Sequence, residues 1–130
     1  MDRLAERKII VVDGSNVAFY FTQDGKPRLE NIVMANNSLA SAGFVPIIVV
    51  SAALLHQVDE DEQLLKMIAS KRVIQAPKGV DDDLEIIRTA KKNNADIVSN
   101  DRFLDWLDKH PWLPSRLRKY RMSPSGLILV

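Results

Sequence analysis

The chain contains no cysteine. That excludes a disulfide scaffold, a thiolate nucleophile and any zinc site built on sulfur, and it fits a reducing compartment. Histidine is scarce: the two present, His56 and His110, lie far along the chain from the aspartate motifs described below. A paired-histidine ribonuclease mechanism therefore has little support, and neither has a Ser-His-Asp hydrolase, whose Gly-x-Ser-x-Gly elbow is also missing. No P-loop and no Gly-x-Gly-x-x-Gly fingerprint occurs, which argues against a nucleotide cofactor. Residue 15 is Ser, so Asp13 lacks the Asp-x-Asp arrangement of an aspartyl-phosphate enzyme. No apolar run is long enough to cross a bilayer, and no secretory h-region opens the chain. The expected location is cytoplasmic, with no membrane partner. Net charge is only +1, so bulk charge does not announce a polyanionic ligand.

What is present reads as one globular α/β domain over residues 1–130, large enough for a substantial core. Ile9-Ile10-Val11-Val12 is a run of branched apolar residues, as expected of a strand buried on both faces of a parallel sheet. It ends in Asp13-Gly14-Ser15-Asn16, which is turn chemistry. After a charged lead-in over Met1 to Arg7, the pattern continues as strand and helix in alternation. A loop is expected from Phe19 to Pro27 and a helix from Leu29 to Ala42. Pro46 to Val50 reads as a strand, Asp59 to Ser70 as a helix, and Val73 to Ala76 as a short strand. Asp81 to Asn93 reads as a helix with Lys91 and Lys92 late, and Ala95 to Ser99 as a strand. Phe103 to Lys109 follows as a short helix, then Arg116 to Met122 as a fifth strand. Ser123 to Gly126 turns that strand into Leu127 to Val130. This alternation implies a mainly parallel central sheet with helices on both faces, its strand ends gathered on one edge.

Acidic residues mark that edge. Asp13 ends the first strand, Asp82 and Asp83 open a helix, and Asp101 follows the fourth strand. Each also has an ordinary structural use. Asp13 or Asp101 suits a helix N-cap, and one of Asp81, Asp82 and Asp83 must cap its helix, Asp81 being the candidate. Several carboxylates in one crevice repel, and a bound cation removes that cost. Hard oxygen donors without Cys or His suit Mg²⁺ or Mn²⁺. The chemistry such ions support is phosphodiester hydrolysis, by activating water and neutralising charge on the phosphate. Asn16 is placed to orient a carboxylate or a water, whereas Ser15 and Ser99 read as turn residues.

For a polyanionic substrate, Arg116, Arg118, Lys119 and Arg121 surround Tyr120, alternating base and ring as single-strand binders do. Arg102 adjoins Asp101, and Lys26, Arg28 and Lys78 lie in loops expected on the acidic edge. Trp106 and Trp112 read as packing residues more than stacking platforms.

Together these residues resemble the NYN branch of the PIN-like ribonucleases, most closely the Regnase-type (Zc3h12a-like) domain. Asp13-Gly14-Ser15-Asn16-Val17-Ala18 is similar to that family's opening motif, Asp82-Asp83 to its paired acids, and Ile97-Val98-Ser99-Asn100-Asp101 to its fourth-strand motif. Asp105, one turn on, also falls in the pattern. The resemblance implies a single PIN-like (Rossmann-like) fold and an Mg²⁺- or Mn²⁺-dependent endoribonuclease acting on single-stranded or loop RNA. Asp13, Asp82, Asp83 and Asp101 would then carry the metal site, with Asn16 and Asp105 in support, and cleavage would leave a 5′-phosphate. PIN-like relatives often pair, so a homodimer is among the implied arrangements. The pattern departs from the family at Glu30, where a basic residue is expected, and before Asp82, where Lys78 stands alone. Two other readings stay open on the residues: a non-catalytic RNA-binding module, and a metal-dependent DNase or phosphatase.

Overall fold

The computed structural model describes residues 7–130, so the expected lead-in lies outside it except for Arg7. β1 (Lys8–Asp13) is the central strand, flanked by β2 (Phe44–Val50) and β4 (Asp96–Val98), with β3 (Val73–Gln75) and β5 (Leu117–Arg118) at the margins. Every pairing in this five-stranded sheet is parallel. The chain runs β1 to β2 to β3 on one side, then crosses to β4 and β5 on the other. The strand order thus reverses between β1 and β4, which is where open α/β sheets bind ligands, beyond the carboxyl ends.

The apolar residues of each strand alternate between two cores because successive side chains point to opposite faces. Ile10, Val12, Ile48, Val50 and Val98 pack on one face against α2 (Leu29–Ser41) and α4 (Asp61–Ala69). Val11, Val49 and Ile97 pack on the other against α5 (Asp82–Asn93), Phe103 and Leu113. Leu29, Ile32, Ala35 and Leu39 form the buried stripe of α2, as their spacing requires.

Several boundaries differ from the sequence reading. Gly14–Ala18 is a short helix, α1, rather than a turn. Asp59 does not open α4; its Oδ1 accepts the Leu29 backbone N–H at 2.9 Å and so caps α2 from across the fold. One-turn helices α3 (Leu54–Gln57) and α6 (Leu113–Arg116) fill connections to which the sequence pattern assigns no element, α6 taking in Arg116 from the expected fifth strand. The helix expected over Phe103 to Lys109 is only a 3₁₀ turn, Leu104–Trp106. Asp101 Oδ1 accepts the Phe103 N–H, and Phe103 sits buried at φ 54°, outside the right-handed region. Burying that ring overrides helical continuation.

The largest correction is the fifth strand. Arg116 to Met122 is not one strand: Leu117–Arg118 completes the main sheet, and the chain then leaves it to form an antiparallel hairpin, β6 (Tyr120–Ser123) and β7 (Gly126–Leu129). The hairpin packs on α2, where Leu127 and Tyr120 join the core.

Gly14 is where α1 meets the sheet. A Cβ there would stand 2.7 Å from Val49 O, 2.7 Å from Val50 Cγ1 and 2.9 Å from Ile48 Cγ2. Those atoms belong to a central strand and cannot retreat. Gly14→Ala is expected to destabilise the fold by roughly 1–3 kcal/mol through overpacking, read as a lower Tm; an unchanged Tm contradicts this packing.

Candidate active site

Asp13 is 4% exposed at the end of β1. Its Oδ1 accepts the Asn16 N–H at 3.2 Å, so it does cap α1. Its Oδ2 accepts the Ser99 hydroxyl at 2.8 Å. Ser99 Oγ in turn accepts the Asp101 N–H at 3.1 Å, tying the β1 and β4 ends together. The structural and functional uses of Asp13 therefore coincide. Ser99, read from sequence as a turn residue, is the buried partner that holds the central acid.

Asp81 caps α5, its Oδ1 accepting the Asp83 N–H at 2.9 Å. It is nevertheless part of the cluster: carboxylate oxygens of Asp81, Asp82 and Asp83 lie within 4.8 Å of one another. Asp83 Oδ2 accepts the Trp106 indole N–H at 3.3 Å, so that tryptophan, half-buried as packing, also touches the acids.

The electrostatics link all four expected carboxylates. Burial, above all, pushes the Asp13 carboxyl up to about 7, with the charges of Asp82 and Asp83 adding to it and the Ser99 and Asn16 hydrogen bonds opposing it. Asp83 rises to about 6 through burial and the carboxylates of Asp81, Asp82 and Asp101. Asp82 is raised by burial and by Asp81. Among the described residues, the ion pairs are Arg28 with Asp24 and Arg116 and Arg118 with Asp96; none reaches the cluster. An uncompensated set of hard carboxylate oxygens, partly out of water, fits Mg²⁺ or Mn²⁺. Asp105 is exposed in the 3₁₀ turn beside Trp106.

Asn16 is held at both acceptor positions of its side-chain oxygen, by the Tyr120 hydroxyl at 2.7 Å and the Asn100 N–H at 3.1 Å. Asn100 is itself clamped: its Oδ1 accepts the Tyr120 N–H and its Nδ2 donates to Tyr120 O. Tyr120 is thus not the surface ring of a basic strand; it is 3% exposed and part of the site's frame. Its hydroxyl pKa is raised by burial, then by Asp13. Alternating residue types could not reveal this, because only the hairpin brings Tyr120 back over α1.

The basic residues separate. Arg116 and Arg118 both reach Asp96, at 3.5 and 3.3 Å. Asp96 opens β4, three residues before the acidic edge, or about 10 Å along a strand. Arg102 and Lys119 instead line one cleft with Ser99 and Asp101. Arg121 and Lys78 are exposed on the hairpin and in the loop before α5, and Arg28 pairs loosely with Asp24 at 3.8 Å.

A sequence model of the Zc3h12a-like ribonuclease NYN domain matches residues 6–125. The chain belongs to that family. Among solved structures it is similar to nuclear proteinaceous RNase P 2 (PRORP2) from A. thaliana, at 20% identity and a TM-score of 0.73, over 95% of this chain and 29% of that one. A second structure of the Arabidopsis thaliana protein-only RNase P 2 gives 19% identity and a TM-score of 0.71 over the same shares. At that identity the likeness speaks for the fold, and this NYN domain spans under a third of the length of those chains. No curated relative matches the sequence. The family establishes a nuclease domain, as the three motifs implied.

Proposed function

We propose that this NYN domain is a divalent-metal-dependent endoribonuclease that hydrolyses phosphodiester bonds of single-stranded or loop RNA at the β1/β4 crevice. One observation carries the reading: Asp13, Asp82, Asp83 and Asp101 converge beyond the strand ends, and among the described residues none of them is in an ion pair. Asp13, Asp82, Asp83 and Asp101 would hold Mg²⁺ or Mn²⁺, with Asp105 at the margin. Such an ion supplies Lewis-acid activation of water and charge neutralisation at the phosphate. The protein's own contribution is positioning. Ser99 and the α1 amide fix the Asp13 carboxylate, and Tyr120 with Asn100 fixes Asn16 so that its NH₂ group is left to meet ligand. Arg102 and Lys119 adjoin Asp101 and offer cations to the RNA backbone.

The test is purified protein with end-labelled single-stranded RNA, single-stranded DNA and a phosphate monoester, each in Mg²⁺, Mn²⁺ or EDTA. Endonucleolytic RNA cleavage with 5′-phosphate products, abolished by EDTA, is expected. Cleavage indifferent to EDTA overturns the metal reading, preference for DNA or the monoester overturns the substrate class, and RNA retained uncut under every ion identifies a binding module.

Tyr120→Phe removes one of the two hydrogen bonds on Asn16 Oδ1 and leaves the packed ring. It is expected to lower stability by about 1 kcal/mol and kcat by roughly tenfold, with KM little changed, as for a positioning residue acting through Asn16. A proportionate rise in KM at unchanged kcat would place Tyr120 in substrate binding instead.

A further inference from the structure

Phe21 is 89% exposed, at φ 48° in the loop between α1 and α2. A bulky side chain in the left-handed region is unusual and is held there only by its surroundings. The base of the loop supplies that hold: the Asn31 side-chain amide donates to the carbonyls of Val17, Ala18 and Tyr20, and the Arg28 N–H donates to Ala18 O at 2.8 Å. The ring meets Tyr20 edge-to-face with centroids 5.1 Å apart, and Tyr20 lies 5.4 Å from Tyr120, whose hydroxyl bonds Asn16. A continuous file of rings therefore leads from solvent to the acidic crevice. Beside it runs a cleft of mixed polar and apolar walls, where Tyr20, Phe21, Met34 and Met122 stand with one cation, Arg28, and one carboxylate, Glu30.

We propose that Phe21 is a stacking platform for an unpaired RNA base next to the cleaved bond, with Arg28 on the adjoining phosphate. The substrate class rests on the nuclease reading above; the platform is new to it. Exposed rings beside a cation hold single strands because every base offers a π-face. A fixed ring loses little freedom on binding. The Arg28–Asp24 pair is exposed and weak, so phosphate can displace it.

Binding is measured by fluorescence anisotropy, in an Asp13→Asn background so that no cleavage intervenes, with decauridylate and with an abasic ribose-phosphate oligomer of equal length. Phe21→Ala and Phe21→Leu are expected to weaken decauridylate binding about tenfold, the loss of one stacked base. Phe21→Trp restores it, the abasic oligomer is indifferent to all three, and every variant keeps the parental Tm because the ring is outside the core. Equal affinity of Phe21→Ala and parent, equal losses on both oligomers, or no measurable binding by the parent overturns the platform. A shift of oligomeric state without a change in RNA affinity makes Phe21 a protein contact and overturns it too. Cleavage by the otherwise native chain in the substrate panel decides the nuclease reading independently.

Discussion

Asp13→Asn is expected to lower RNA cleavage about a thousandfold or more while leaving the fold intact. The substitution keeps the shape of a side chain that is almost fully buried, and an amide oxygen can still accept the Asn16 N–H that Asp13 Oδ1 accepts now. What it removes is one negative charge at the centre of the carboxylate group. Metal-borne stabilisation of developing charge is worth several kcal/mol, and each 1.36 kcal/mol is about tenfold in rate. Single-turnover cleavage of labelled RNA at saturating Mg²⁺ or Mn²⁺ reads the effect, with circular dichroism to confirm the fold. Activity retained within a few-fold of wild type would remove Asp13 from the chemistry, and with it the proposal that the crevice is an active site.

The second large effect is on stability and its pH dependence. Asp13 moves from 3.8, its ordinary value, to about 7 on folding. The native state thus keeps a proton that the unfolded chain has already lost, so the Asp13 contribution to stability is fully present below about pH 4 and falls as pH rises through about 7. The slope from this one group is on the order of 1 kcal/mol per pH unit across that window. Asp83, raised to about 6 and half-buried, adds in the same direction but is partly screened by water. Metal-free wild type should therefore lose Tm relative to Asp13→Asn between pH 5 and pH 8, the variant being the more stable at neutral pH. Mg²⁺ or Mn²⁺ should raise the Tm of wild type more at pH 8 than at pH 5, since a cation held in the crevice would bind the ionised carboxylates. Parallel Tm–pH curves for the two proteins would show that Asp13 ionises normally.

Much of this site was legible because its parts are local. Asp13, the Asp82-Asp83 pair and Asp101 each sit at the end of a strand or the start of a helix, and strand-helix alternation alone sends such positions to one edge of a parallel sheet. A residue's role is not legible where its surroundings come from a distant segment. Asp59 looked like a helix start and caps α2 instead. Tyr120 looked like a surface ring and is a buried strut for Asn16. Arg116 and Arg118 look like substrate cations in the sequence, and in the fold both side chains pair with Asp96 at the start of β4. Ser99 gave no signal beyond its place after a strand, since a hydroxyl's partner is invisible until the neighbouring strand end is in position.

The sequence by itself determined the class of fold, its parallel order and the acidic edge, because hydrophobic period and strand-end chemistry are set by near neighbours along the chain. Only the tertiary structure decided how the crevice is braced and which cations face it. Those depend on the hairpin returning over α1 and on β4 ending beside β1, contacts between residues 104 and 86 apart along the chain that no local pattern encodes. A carboxylate announces itself in a sequence; the hydroxyl, amide and ring that hold it in place are chosen by the packing.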